Sequence, residues 1–206
     1  MKLYDISPTV SPSLAVWPGD TPPRREVLLD IDRGDNLTLS TLHATVHLGA
    51  HADAPSHYGA GAPAIDRRPL DAYLGRCQVV RVDVRSGSRL GAAAVPGSPA
   101  ARLLFATGSY PDPDEFRRDF AALSVELIDT AHRRGVRLIG IDTPSVDLFE
   151  SKELPAHHAC LARDVAILEG LVLDDVPVGV YELIALPLKL AGFDASPVRA
   201  VLRSID

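Results

Sequence analysis

The chain has 206 residues, of which 46% are hydrophobic and 23% charged, the balance of one well-packed globular unit and not of a disordered or fibrous chain. A formal charge of −6, with no face rich in Lys or Arg, excludes the electrostatic footprint of a nucleic-acid binder. No stretch approaches the roughly eighteen apolar residues that span a bilayer, and the start MKLYDISPTV has no secretory apolar region, so a cytoplasmic protein without a membrane partner is expected.

In chain order, short apolar and β-branched runs predict strands at LYDIS near the start, EVLLDID at 26–32, LTLSTLHATVHL at 37–48, CQVVRVDV at 77–84 and RLLFA at 102–106. Further strands are predicted at RLIGID (137–142), VAIL (165–168) and VGVYELIAL (178–186). PLDAYL at 69–74 can form a short helix opening on a proline, and 113–121 reads as a second helical stretch. The clearest helix is capped by Ser124, buries Leu127, Ile128 and Ala131, and stops at Gly135. Seventeen prolines are scattered through the connections, and no repeat or linker divides the chain, so residues 1–206 read as one strand-rich, mixed α/β domain. Cys77 and Cys160 stand far apart without a metal or redox spacing, which predicts two buried free thiols.

Four of the seven histidines fall within HATVHLGAHADAPSH. Alternation along the preceding strand puts Leu42, Ala44, Val46 and Leu48 on one face and His43, Thr45 and His47 on the other, so His47 is expected at the polar side of a strand end. Gly49 permits a turn and Pro55 interrupts regular structure, which predicts that His51 and Asp53 lie on a loop curling back over His47. Imidazole nitrogens and a carboxylate oxygen converging at ~2.0–2.2 Å make the first shell of a divalent metal, and three ligands leave a position for water. The alternative is a set of solvated polar residues on a turn. A glycine within the His47–His51 interval excludes the helical HExxH arrangement.

His57 can move protons beside the metal or ligate it; His43 reads as structural. A second cluster lies in LPAHHACLARDVAILEGL, where Val165, Ile167 and Glu169 share a strand face. A buried Glu169 needs a cation, either an arginine or a metal, and the nearby His157 and His158 favour metal. Trp17, the single tryptophan, is either a loop anchor or an aromatic contact for a ligand.

HLGAHADAPSH resembles the histidine–x–glycine–threonine–histidine–x–aspartate–x–proline–x–histidine run of the cyclase-like metal hydrolase family, with Ala50 in place of the threonine. WPGD at 17–20, the twelve-residue interval from His157 to Glu169 and LIALPLKLAGFDASPVRAVL at 183–202 resemble in particular the bacterial kynurenine formamidase branch. The resemblance implies a swivelling β/β/α-type fold, a homodimer, and hydrolysis of N-formyl-L-kynurenine to L-kynurenine and formate in tryptophan breakdown. It also implies two divalent ions per subunit, zinc by default with manganese or cobalt as alternatives. On that basis His47 and His51 hold one ion, His157 the other, Asp53 and Glu169 bridge them, His57 is the proton donor and acceptor, and Trp17 touches substrate. A cyclic-amide hydrolase of the isatin type and a non-catalytic metal-binding protein are the competing expectations.

Overall fold

A computed structural model describes residues 1–205. The chain passes through β1 (Leu3–Asp5), β2 (Arg24–Leu29), β3 (Leu39–His43), β4 (His51–Asp53), β5 (Leu74–Arg81), β6 (Arg89–Leu90), β7 (Arg102–Ala106) and β8 (Ala122–Leu123). It continues through α1 (Val125–Arg133), β9 (Leu138–Ile141), α2 (Pro155–Arg163), β10 (Ala166–Glu169), β11 (Gly179–Ile184), β12 (Ala195–Pro197) and β13 (Val201–Ser204). Nine strands form one mixed sheet in the order β1-β13-β11-β5-β7-β9-β10-β4-β12. Its middle, β5-β7-β9-β10, is parallel; the flanking pairs are antiparallel. The expected strand-rich, mixed α/β fold is therefore present.

Alternation along the central strands feeds two cores. Leu103 and Phe105 of β7, Ile139 and Ile141 of β9 and Ile167 of β10 face α1 and α2, meeting Leu127, Ile128, Ala156 and Cys160. Leu104, Leu138 and Leu168 face the other way, toward Tyr73, Cys77, Leu183 and Leu202. Helix α1 starts where expected: the Ser124 hydroxyl accepts the Leu127 N–H at 3.1 Å, and Gly135 follows the helix end in a left-handed conformation. Both cysteines are free and buried.

Three expectations fail for physical reasons. Strand β3 stops at His43 and does not run to residue 48, because Thr45 donates its N–H to the Thr21 carbonyl and its hydroxyl accepts the His47 N–H, bending the chain. No helix forms over 113–121: Phe116 and Phe120 pack edge-on against Trp17, and the Ala121 N–H goes to the Ser109 hydroxyl. Those tertiary contacts outweigh a short helix's small propensity. His51 and Asp53 lie not on a loop but on β4, hydrogen-bonded between β10 and β12. The PLDAYL segment keeps one 3-10 turn at Leu70–Ala72. Strands β2 and β3 form a separate two-stranded ribbon.

Candidate metal centre

Strand period explains the convergence. On β4, His51 and Asp53 point to one face while Ala52 enters the opposite core. Antiparallel pairing places Glu169, the last residue of β10, directly across from His51, so the His51 Nε2 and Glu169 Oε2 atoms lie 3.3 Å apart. His157 enters from the first turn of α2, above the same sheet face. Its Nε2 is 3.4 Å from Asp53 Oδ2 and 3.5 Å from Glu169 Oε1. His47, on the bend before β4, brings Nδ1 to 3.2 Å from Asp53 Oδ1, and His51 Nε2 is 3.5 Å from that same oxygen. One oxygen of each carboxylate thus faces His51, the other His157, and Asp53 Oδ1 also faces His47.

Each of the three imidazoles is anchored through its other nitrogen. His51 Nδ1–H donates to the Gly49 carbonyl at 2.8 Å, His157 Nδ1–H to Asp147 at 2.9 Å and His47 Nε2–H to Asp194 at 3.0 Å. Such anchoring fixes the tautomer and aims the free nitrogen's lone pair. Asp147 is held in turn by the Ala156 and His157 N–H groups at the start of α2 and by Arg89. On Glu169, Oε1 accepts the Val146 N–H at 2.7 Å.

The five side chains fit a metal by one plain test. His51 Nε2 and both Asp53 oxygens are buried and make no hydrogen bond, a costly state for polar atoms unless a cation joins them. Without one, the carboxylates draw protons onto the imidazoles. Burial opposes charge on His47, but Asp53, Asp194 and Glu169 outweigh it and raise its pKa to about 9. Burial likewise opposes charge on His157, and Asp147, Asp53 and Glu169 raise it well above its usual value. Asp53 is held well below the carboxylate range, since His157, His47 and His51 overcome its burial. A metal cation bound there would take over that balancing role from the protons. The groups His47–Asp53–His57 and His51–Asp53–Glu169 each bring ligand atoms within 4.8 Å of one another, so His57 is close enough to ligate as well as to move protons.

The cage floors a cavity of about 410 Å³, lined by His47, His51, His57, His157 and Glu169 at one end and by Trp17, Tyr110 and Phe116 among others. Trp17 combines both sequence readings: it stacks on Phe149 at 4.9 Å and meets Phe116 edge-on at 5.5 Å, yet still faces the cavity. His158 turns outward and is exposed, leaving His157 alone at the site. His43 pairs with Glu26 on the ribbon, and Glu169 has histidines instead of an arginine beside it. Sequence reasoning missed Asp147, Asp194, the Gly49 carbonyl and the aromatic partners Phe116 and Phe149.

No helix among the described residues is long and apolar enough to cross a membrane. A potential metal-dependent hydrolase with cyclase activity superposes with a TM-score of 0.83 at 26% identity, over 98% of this chain and 96% of its own. A protein described as a predicted metal-dependent hydrolase from Bacillus stearothermophilus gives 0.80 at 26% identity, over 98% and 97%. Isatin hydrolase A from Labrenzia aggregata, bound to benzyl benzoate, has the same fold, with 0.81 at 24% identity over 98% and 93%. The Cyclase family model matches residues 4–148, a span that holds His47, His51, Asp53 and His57, and the chain belongs to that family.

Proposed function

We propose that the protein is a metal-dependent arylformamidase that hydrolyses N-formyl-L-kynurenine to L-kynurenine and formate. The observation that carries this reading is a cage of three anchored imidazoles and two buried carboxylates beneath a cavity lined by Trp17. His47 and His51 would hold one divalent ion and His157 a second, with Asp53 and Glu169 shared between them; zinc suits the nitrogen and oxygen donors, as do manganese and cobalt. When bound, the ions supply Lewis acidity to the formyl carbonyl and to the attacking water.

The chain's own residues do the rest. Trp17 and its aromatic neighbours take the aryl ring, with stacking worth about 0.5–1.5 kcal/mol beyond area burial. His57, exposed at the cavity wall, takes a proton from the water and returns it to the departing aniline nitrogen, serving both steps. The same reading places the enzyme in tryptophan degradation in the cytoplasm, as a homodimer.

The test is hydrolysis of N-formylkynurenine by the purified protein, before and after chelation and with zinc, manganese or cobalt restored. Loss on chelation and recovery with metal is expected; no hydrolysis with any of the three overturns the reading. The fold shared with isatin hydrolase favours one second reading, opening of a cyclic aryl amide by the same cage. Isatin as a parallel substrate separates the two.

A further inference from the structure

Asp194 carries a role that the cage alone does not explain. It immediately precedes β12, where Ala195 pairs with Asp53, and its carbonyl accepts the Ala54 N–H at 2.8 Å. The sheet therefore fixes it beside the ligand-bearing strand. Its Oδ2 faces two rings at once, His47 Nε2 at 3.0 Å and His57 Nδ1 at 3.4 Å. Those rings are in contact, with centroids 4.2 Å apart and planes tilted by 45°. Although its side chain is 47% exposed, Asp194 forms its ion pairs with these two histidines and with no Lys or Arg among the described residues.

An ionised carboxylate only accepts hydrogen bonds, so a ring nitrogen that bonds to it does so through its own hydrogen, as His47 Nε2 does and as His57 Nδ1 is placed to do. For His57 that leaves Nε2 with the lone pair, and no protein group among the described residues engages Nε2. For His47 it directs Nδ1 toward Asp53, where a bound metal would replace the proton. We propose that Asp194 is the positioning residue of the proton shuttle, holding His57 as the Nδ1–H tautomer so that Nε2 exchanges protons in the cavity. The same oxygen holds the His47 ring, and so keeps shuttle and cage in register. This proposal rests on the acid–base role assigned to His57.

The test compares Asp194→Ala, Asp194→Asn, His57→Ala and the Asp194→Ala/His57→Ala double variant, all loaded at saturating zinc. Asp194→Ala should lower kcat by about tenfold or more with KM changed less than twofold and zinc retained. Asn, which keeps an acceptor, should recover part of that loss. In the His57→Ala background the Asp194→Ala loss should shrink to less than about twofold, because residues acting as a unit are not additive. An equal loss in both backgrounds, or none in either, overturns the proposal. Nitrogen-15 spectra of the zinc-loaded, histidine-labelled protein give a readout independent of turnover. They should show His57 protonated at Nδ1 in the parent and not in Asp194→Ala; an Nε2–H tautomer in the parent overturns the proposal, whichever formamide the protein accepts. A protein with the expected tautomer and no formamide hydrolysis instead counts against the proposed function.

Discussion

Gly170→Ala is a severe test of how the cage is braced. Gly170 follows Glu169 with φ +64°, and an added Cβ would lie 2.2 Å from the Gly49 oxygen and 2.8 Å from the Gly49 carbonyl carbon. These are backbone atoms, and they have little room to yield: Gly49 itself has φ +55°, and a Cβ there would meet Pro8 Cγ at 2.9 Å. The left-handed conformation costs alanine about 1–2 kcal/mol, and displacing a packed backbone adds about 1–3 kcal/mol. A total of about 2–5 kcal/mol lowers Tm by roughly 4–20 °C in a domain of this size. The Gly49 oxygen also anchors His51 Nδ1, so metal affinity should fall about 10- to 100-fold. Gly61→Ala is the control, with φ +72° and nothing within 4 Å of its Cβ; it should cost only the conformational part. Urea denaturation with zinc titration compares them. Equal stability and equal zinc affinity for the two variants would refute this account of the brace.

Trp17→Leu should raise KM for an aryl formamide by about 2- to 13-fold, the worth of a lost ring stack, and a kinetic comparison with N-formylkynurenine reads it directly. On the ribbon, Leu29, Leu39 and Leu42 are 36%, 48% and 62% exposed, although an isolated two-stranded ribbon is marginal alone. If a second copy covers it, Leu42→Glu should shift the protein toward monomer in size-exclusion chromatography; an unchanged elution profile would place the interface elsewhere. Asp142 is buried, which raises its pKa, although Thr107 and Gly108 donate hydrogen bonds that pull it down. A raised folded-state value means that its contribution is fully present below the ordinary 3.8 and is lost as pH rises through the folded value. Asp142→Asn keeps the backbone donors satisfied without titrating, so its stability relative to the parent should improve as pH rises from about 4. A pH-independent difference in urea midpoints would contradict that sign.

What was legible in the sequence was whatever carried a local pattern. RLLFA and RLIGID read directly as β7 and β9, and Ser124 and Gly135 bounded α1 within a residue or two. The ligand types in HLGAHADAPSH stood out by density, and the structure brings them together with His157 and Glu169. Their carrier was misread because β4 is only three residues long and owes its existence to β10 and β12, far along the chain. Helix α2 escaped because its buried face consists of Ala156, His157, Ala159 and Cys160, with no large apolar stripe to give a period. Asp147 and Asp194 are two among 27 acidic residues; only folding distinguishes them, by setting each against an imidazole.

The neighbours of β4 have a consequence for the order in which the protein is made. The strand bearing His51 and Asp53 is flanked by residues 166–169 and 195–197, so during synthesis it stays unpaired until most of the chain has left the ribosome. Closing such long loops is slow, because their entropy is spent before any contact compensates it. Asp53 and Glu169 become a buried pair only at that late stage, and Asp194, the anchor of His47, leaves the ribosome later still. A metal that fits the cage would therefore meet its full set of donors only after β10 and β12 have docked on β4.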